Sequence, residues 1–550
     1  MVRTKIVSSL EKVFLDNKIE QFAALEKISA LRGERLSVQL LISNDSGKYI
    51  SRIPVAVKGA FAEISSLHLV TSVPVDMPTN VMGYDDNYLR TAPGLFPDLL
   101  RPLYYGGYVS SVVGNLLSVW VQINIPEDFP AAEHELKIDI TVGEDTVSAT
   151  ALIDVIAASL PAEDIYFTQW FHTDCLANYY NVDTFSEEHW RIIENFARTA
   201  RRNGINLLLT PVFTPPLDTA VGGERRTTQL VGITVLGDEY DFDFSKLDRW
   251  IDMCDRCGIE YLEISHFFTQ WGAAHAPKIM ATVDGEYKRI FGWETDATSD
   301  EYKRFLRTFV SKLLAHLRAR GDDKRCFFHI SDEPGLHHLE SYRAAKQIVA
   351  DLLDGYYIMD ALSKYDFYKE GVVEHPIPAN NHVHEFIDQG VKDLWTYYCV
   401  SQYMNVSNRY MSMPSCRTRS IGMQMFKYNI KGFLQWGYNF YNNQFSVDPI
   451  DPYNDTSAGA CFPSGDAFSV YPAIGGYALE SLRAVVFYEA LQDIKAMKLC
   501  EKYYGHEATV AAIESVFGKE LTFNTCAKTS ERMLAVREKI NEMIKTVVSQ

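Results

Sequence analysis

The segment Arg325 to Gly335 reads Arg-Cys-Phe-Phe-His-Ile-Ser-Asp-Glu-Pro-Gly and ends in two adjacent acids, Asp332 and Glu333. Neighbouring carboxyls suit proton transfer, because the charge on one disfavours ionisation of the other and keeps a proton available near neutral pH. Cys326 to Ser331 has strand composition, with Phe328 and Ile330 on one face and His329 and Ser331 on the other. Pro334 does not fit a strand interior, so the strand is expected to end near Asp332. The acids then lie at its carboxyl end, where barrel and open-sheet α/β enzymes keep their chemistry. Successive side chains of an extended chain point to opposite faces, so the two acids share a pocket only if the chain turns between or just after them. Pro334-Gly335 offers that turn. The other role open to either acid is capping a helix that starts near Pro334.

The elements that must position this pair fall into three regions. Residues 1–160 read as an all-β domain, with strands at Arg35 to Ile42, Ile53 to Val57, Ser66 to Val73, Ser118 to Ile125, Glu135 to Thr141 and Thr146 to Val155. Antiparallel strands without intervening helices make a β-sandwich. The section Pro74 to Gly107 reads as irregular. Residues 161–477 alternate strands (Ile165 to Trp170, Ile205 to Thr210, Tyr261 to Ser265, Cys326 to Ser331, Tyr356 to Met359, Leu394 to Cys399, Gly432 to Trp436) with amphipathic helices such as Glu187 to Asn203, Ser245 to Cys257 and Asp300 to Arg320. That alternation is the form of a (β/α)8 TIM-like barrel, the expected catalytic domain. Residues 478–550 read as helices packing on it: Leu482 to Tyr504, Glu507 to Phe517 and Ser530 to Val548. The fold class is thus α/β with an all-β amino-terminal domain.

The segments after the predicted strands share a composition. Trp170, His172 and Asp174 follow the first, Thr210, Pro211 and Phe213 the second, and His266, Gln270, Trp271 and His275 the third. The late strands bring Tyr397, Tyr398 and Gln402, then Trp436, Tyr438, Asn439 and Tyr441. Aromatic faces cover the apolar faces of sugar rings while Asn, Gln, His and Asp bond hydroxyls, which suits a carbohydrate cleft. Trp170, His172, His266, Trp271, Tyr398, Trp436, Tyr438 and Asn439 are the candidate substrate-binding residues. Any single aromatic among them fits a core or rim position equally well. His266, His275 and Asp174 match no common ligand spacing, so no metal is assigned.

A formal net charge of −18 argues against a nucleic-acid partner, since phosphate contacts need clustered Lys and Arg. Nine cysteines are odd in number and scattered, which suits a reduced compartment rather than a disulfide framework. The one close pair, Cys254 and Cys257, lies in a helical pattern and reads as buried cysteines rather than a zinc site. Met1 to Glu26 has no signal-peptide pattern, and Val109 to Ile125, the longest near-apolar stretch, falls short of a membrane span. A cytoplasmic protein is expected; a trimmed leader would make it secreted or periplasmic. Oligomeric state is not set by these features.

Four features together resemble glycoside hydrolase family 123, the β-N-acetylgalactosaminidases. They are the β region ahead of the βα units, Phe328 to Pro334, Gly432-Phe433-Leu434-Gln435-Trp436, and Gly465-Asp466 to Tyr471-Pro472. The sequence departs from the family pattern at Ala467 and Ala490, where Gly is usual. The resemblance implies Glu333 as general acid/base and Asp332 as the carboxylate that holds a 2-acetamido group. Ordinary retaining carboxyls flank the scissile bond about 5–5.5 Å apart and inverting ones lie farther apart, an arrangement that adjacent acids do not easily make. They fit substrate-assisted hydrolysis, which requires no metal or organic cofactor. The expectation is an exo-acting, retaining hydrolase of terminal β-linked N-acetylgalactosamine on glycans or glycolipids. The alternatives are a glycosidase of different sugar specificity on the same scaffold and a non-catalytic carbohydrate-binding protein.

Overall fold

The structure, a computed structural model, describes residues 1–103 and 107–549. Its amino-terminal region holds two five-stranded sheets. One runs in the spatial order Val2–Ser8, Arg35–Asn44, Leu116–Asn124, Ser65–Val75, Gly94–Pro102, with every pairing antiparallel. The other runs Lys27–Arg32, Asp145–Ser159, Glu133–Val142, Ile50–Lys58, Tyr108–Ser111, with Lys27–Arg32 parallel to its neighbour. Val38, Leu40, Val119, Val121, Ile138 and Ile153 belong to one buried cluster shared by the two sheets. Alternation places these residues on inner faces.

The section Pro74 to Gly107 is not wholly irregular, although residues 104–106 lie outside the described residues. Gly94–Pro102 is an edge strand, hidden in the sequence by its Gly and two Pro residues. Thr71 pairs with Leu99 and Ser72 with Pro97, so Asp98 is the extra residue of a bulge. Its side chain leaves the sheet and meets Arg483 (Arg483 Nε to Asp98 Oδ1, 2.9 Å; Nη2 to Oδ2, 2.8 Å) and the Tyr471 hydroxyl, 2.6 Å.

Eight parallel strands follow: β1 (Tyr166–Gln169), β2 (Leu207–Thr210), β3 (Tyr261–Ile264), β4 (Cys326–Phe328), β5 (Tyr357–Ala361), β6 (His375–Ile377), β7 (Trp395–Tyr397) and β8 (Gly432–Gln435). β2 to β6 form one sheet in sequence order, and β1, β8 and β7 form a second. A parallel bridge between Ala379 and Tyr397 joins them at β6 and β7. At the other edge, Asn206 donates its amide to the Phe167 carbonyl and accepts the Phe167 amide at its side chain, so β2 lies beside β1. Strand β6 escapes a composition-based reading because it is short and contains Pro376.

The helices start and stop where their chemistry directs. Ser186, Ser299 and Ser481 accept amides of the first turns of Glu187–Arg202, Asp300–Arg320 and Leu482–Tyr504. Gly258 and Gly321, both left-handed, close Ser245–Cys257 and Asp300–Arg320. Cys254 and Cys257 are buried in the former helix. At the carboxyl end, Leu482–Tyr504, His506–Phe517 and Ser530–Val548 pack on one another. Buried Arg419 binds Glu489 and Asp493, and Arg537 binds Asp493 and Glu34, which ties the last helix to the first sheets. The largest apolar core continues from Phe14, Val73, Phe96 and Trp120 through the parallel strands to Phe487 and Ile540. No helix among the described residues is long and apolar enough to cross a membrane.

Ala467 and Ala490 each face a glycine. A Cβ on Gly437 would lie 2.1 Å from the Ala467 carbonyl oxygen, and one on Gly422 would lie 2.4 Å from that of Ala490. The close approach is provided from the opposite segment.

Candidate active site

Asp332 and Glu333 lie beyond the carboxyl end of β4, in a cleft of about 220 Å³. Glu333 has φ +41°, a left-handed conformation that costs a non-glycine residue about 1–3 kcal/mol. This kink lets consecutive side chains enter the same cleft. It is held from both sides: the Glu333 amide donates to the Ala361 carbonyl at 3.0 Å, and the Asp332 carbonyl accepts the Trp271 amide at 2.9 Å. Neither acid caps a helix; the short helices beginning at Leu336 and Leu339 have Gly335 and His338 as caps.

Beneath the pair lies an ionic chain. His329 donates from Nε2 to Glu263 on β3 (2.7 Å) and from Nδ1 to Asp360 on β5 (3.0 Å). Burial opposes a charge on this ring, but the two carboxylates outweigh it and push the pKa up to about 10. His329 is therefore an imidazolium. Asp360 also receives the Ile330 and Ser331 amides and the Tyr342 hydroxyl, which anchors the segment leading to the acids. Glu263 receives Thr168 Oγ1 at 2.5 Å and Trp170 Nε1 at 2.7 Å. On the opposite wall, Trp436 Nε1 donates to Asp466 at 2.9 Å, so the Trp170 and Trp436 indoles are each aimed by a buried carboxyl.

Asp332 is half-buried, while Glu333 is open to the cleft but deep within the protein. Desolvation raises the pKa of both, and the charge of Glu333 raises that of Asp332 further. The Tyr397 hydroxyl, 2.5 Å from Glu333 Oε1, works against the rise at Glu333. The two acids titrate as a pair that retains a proton.

Of the substrate-binding candidates, Trp170, Trp271 and Trp436 line the cleft. Trp271 is 38% exposed at its mouth and meets Phe445 edge-on at 6.0 Å. The others do not line it. His266 is stacked on His329 (centroids 4.2 Å apart) and stays neutral, since burial and that neighbouring charge drive its pKa far down. His172 donates from Nε2 to the Trp436 carbonyl at 2.8 Å and accepts from Arg225 at Nδ1, 3.1 Å. Asn439 clamps the His172 backbone from both its amide atoms, 2.9 and 3.0 Å. His172 and Asn439 thus brace Trp436 from behind. Tyr438 stacks on Phe171 and donates to the Phe196 carbonyl, inside the core. Tyr398 packs on Phe433 and Phe487, because alternation turns it away while Tyr397 faces the cleft.

The sequence reading passed over Asp218, Cys399, Ser401, Gln444, Phe445 and Phe462, which line the cleft together with Gln270 and Tyr397. The sequence did hold a signal for Glu263 and Asp360: an acid inside a short apolar strand is rarely tolerated without a partner. His266, His275 and Asp174 do not assemble as a metal group, as Asp174 is ion-paired with Arg225. His266, His329 and Asp360 do bring ligand atoms within 4.8 Å of one another, but both ring nitrogens of His329 are already bonded to the carboxylates of Glu263 and Asp360.

The model of the family described as "Glycoside hydrolase 123, catalytic domain" matches residues 170–500, more than half of the chain and the whole of this cleft. The chain belongs to glycoside hydrolase family 123. Among solved structures it is similar to a family 123 glycoside hydrolase from Clostridium perfringens, described in terms of glycolipid glycan hydrolysis. The TM-score is 0.74 at 14% identity, covering 100% of this chain and 98% of that one. Weaker likenesses include an endo-β-1,4-mannanase from Thermotoga petrophila (TM-score 0.33, 12% identity, 60% of this chain and 77% of that). Another is a Vibrio harveyi GH20 exo-β-N-acetylglucosaminidase (TM-score 0.24, 8% identity, 82% and 85%). No curated protein matches the chain.

Proposed function

We propose that this family 123 chain is an exo-acting, retaining β-N-acetylgalactosaminidase that uses the substrate's 2-acetamido group as nucleophile. The observation that carries the reading is the left-handed Glu333, which brings adjacent carboxyls into one cleft. The acetamido carbonyl oxygen attacks the anomeric carbon while Glu333 gives its proton to the departing glycosidic oxygen. Asp332 accepts the amide N–H and stabilises the positive charge that develops there. Glu333 then takes a proton from water, which attacks the anomeric carbon from the face the leaving group vacated, breaks the bond to the acetamido oxygen and returns the β-configured sugar. Contact of the amide with Asp332 draws negative charge to that carboxyl and leaves the shared proton on Glu333.

A cleft of about 220 Å³ is smaller than the roughly 300–1,000 Å³ of drug-sized sites, which favours a single terminal sugar. Trp170 and Trp436 supply apolar walls for it. The glycolipid glycans of the Clostridium perfringens relative indicate the substrate class, and no metal or organic cofactor takes part. We also read the eight parallel strands, whose cyclic order closes through Ala379–Tyr397 and Asn206–Phe167, as a (β/α)8 barrel spanning 161–477. A β-sandwich at 1–160 and helices at 478–550 then brace it.

Hydrolysis of aryl β-GalNAc, β-GlcNAc and β-galactoside by the wild type, Asp332→Asn and Glu333→Gln tests the reading. Cleavage of the β-GalNAc substrate alone is expected, with losses of roughly 10²–10⁴-fold in Glu333→Gln. A harmless Asp332→Asn, or cleavage of the galactoside, would remove the acetamido role, and glycan binding without turnover would favour the non-catalytic alternative.

A further inference from the structure

Asp218 lines the cleft from the segment that follows β2 and is the one carboxyl there, among the described lining residues, that the proposed chemistry leaves unused. A clasp fixes its position. Asp218 Oδ2 accepts the Phe445 amide at 2.9 Å, the Asp218 carbonyl accepts the Ser446 hydroxyl at 2.8 Å, and the Ala220 amide donates to the Phe445 carbonyl at 3.2 Å. The segments after β2 and β8 are thereby latched at the cleft, with Trp271 of the segment after β3 against Phe445. Asp218, Trp271, Phe445 and Ser446 are all left-handed, with φ between +40° and +62°. A run of strained backbone persists when the surroundings hold it, and such residues gather at ligand clamps. The clasp uses one carboxylate oxygen of Asp218 and leaves Oδ1 without a protein partner among the hydrogen bonds of the described residues. The site is partly desolvated: burial raises the Asp218 pKa to about 6, so the group still ionises near neutral pH. Its charge is among those that raise the pKa of Asp332, so the two carboxyls feel one another across the cleft they both line.

Resting on the substrate-assisted reading above, we propose that Asp218 Oδ1 accepts a hydrogen bond from the C3 or C4 hydroxyl of the terminal sugar and is a specificity-determining residue. A rigid acceptor of this kind rewards a sugar that places a hydroxyl there and penalises one that does not, because an unmatched carboxylate stays desolvated. Gln270, which donates to the Thr219 carbonyl at 3.0 Å, and Gln444 add polar groups to the same lining.

The test pairs substrate and enzyme changes. Aryl β-GalNAc and its 3-deoxy, 4-deoxy and 6-deoxy analogues are hydrolysed by the wild type and by Asp218→Asn, whose side-chain oxygen still accepts the Phe445 amide. On the parent substrate kcat/KM is expected to fall roughly ten- to a hundredfold in Asp218→Asn. The same loss is expected when the wild type meets the 3-deoxy or 4-deoxy sugar that lacks the bonded hydroxyl, and combining the two changes adds little more. The 6-deoxy analogue keeps the full effect of the substitution. An equal loss on every analogue would reduce Asp218 to a structural clasp, and abolition of all turnover would make it a reacting group. The wild-type series does not depend on how the variant folds: indifference of the wild type to both deoxy positions overturns the proposal by itself. A wild type that cleaves no β-N-acetylhexosaminide sinks the functional reading instead.

Discussion

Replacing Tyr397 with Phe removes one hydroxyl and keeps the ring that lines the cleft. That hydroxyl is 2.5 Å from Glu333 Oε1 and opposes the rise that depth in the protein imposes on the Glu333 pKa. A hydrogen bond to a charged group contributes about 1.5–3 kcal/mol, and one pKa unit corresponds to about 1.4 kcal/mol. Losing the bond disfavours the carboxylate, so the pKa of the acid moves up. In the proposed mechanism Glu333 is protonated when the glycosidic bond breaks, and the basic limb of kcat/KM then reports its titration in the free enzyme. In Tyr397→Phe that limb is expected to shift to higher pH by roughly one to two units. An aryl β-GalNAc with a poor leaving group displays the shift, whereas an activated aryl substrate that needs little acid assistance shows less of it. An unchanged or acid-shifted limb, in a variant whose thermal unfolding matches the wild type, would refute the assignment of Tyr397 and Glu333 as the proton-tuning pair.

Two other outcomes follow from the same chemistry. Asp332 has its pKa raised in the folded protein by desolvation and by the charge of Glu333. Its charge therefore does not destabilise the fold below the unfolded carboxyl pKa near 4, and does so increasingly as pH rises towards the folded pKa. Asp332→Asn is expected to raise the apparent Tm by about 1–3 °C at pH 8 and to leave it unchanged at pH 4, read by scanning calorimetry. Cys399 lines the cleft, but burial followed by the charge of Glu333 holds its thiol well above the usual range, while Cys461 is exposed. Iodoacetamide at pH 7.5 should alkylate Cys461 and spare Cys399 in a peptide map, since the thiolate is the reacting form.

The acid pair was legible because Pro334-Gly335 signals a turn beyond a strand, although β4 itself spans only Cys326–Phe328 and stops short of the expected end near Asp332. The left-handed turn at Glu333 was not, since a glutamate carries no sign of the backbone held around it. Tyr397 rather than Tyr398 faces the cleft, a phase that composition does not set because β7 spans only Trp395–Tyr397, too few residues for alternation to fix the inward face. Tyr438, His172 and Asn439 were read as ligands because they are polar and near a strand end, yet each bonds backbone carbonyls or amides that hold Trp436 or the core. Asp218 sits in a Pro-Pro-Leu-Asp-Thr loop whose partners arrive from residues 445 and 446, a long-range contact without a local signature.

Besides the bond from Asn80 Nδ2 to the carbonyl of the cleft residue Val400, 2.8 Å, a buried ion pair links the amino-terminal region to the cleft wall. Asp98, placed outside its sheet by the bulge, has no exposed side-chain surface, and Arg483 has 1%. Arg483 also donates to the carbonyls of Gly465 (2.6 Å) and Phe468 (2.5 Å), the residues that bracket Asp466. Asp466 in turn holds the Trp436 indole, and burial pushes its own pKa up to about 6. Asp98→Asn leaves the Arg483 charge uncompensated, at a cost of about 3–5 kcal/mol when one partner of a buried pair is removed. The loosened 465–468 segment no longer fixes Trp436, which in the proposed mechanism walls the sugar and takes no part in proton transfer. A lower Tm and a raised KM with kcat nearly kept is therefore expected, in contrast to the collapse of kcat in Glu333→Gln. A fall in kcat at constant KM would mean that the strain reaches Glu333, and that the bulge at Asp98 positions the acid rather than the wall.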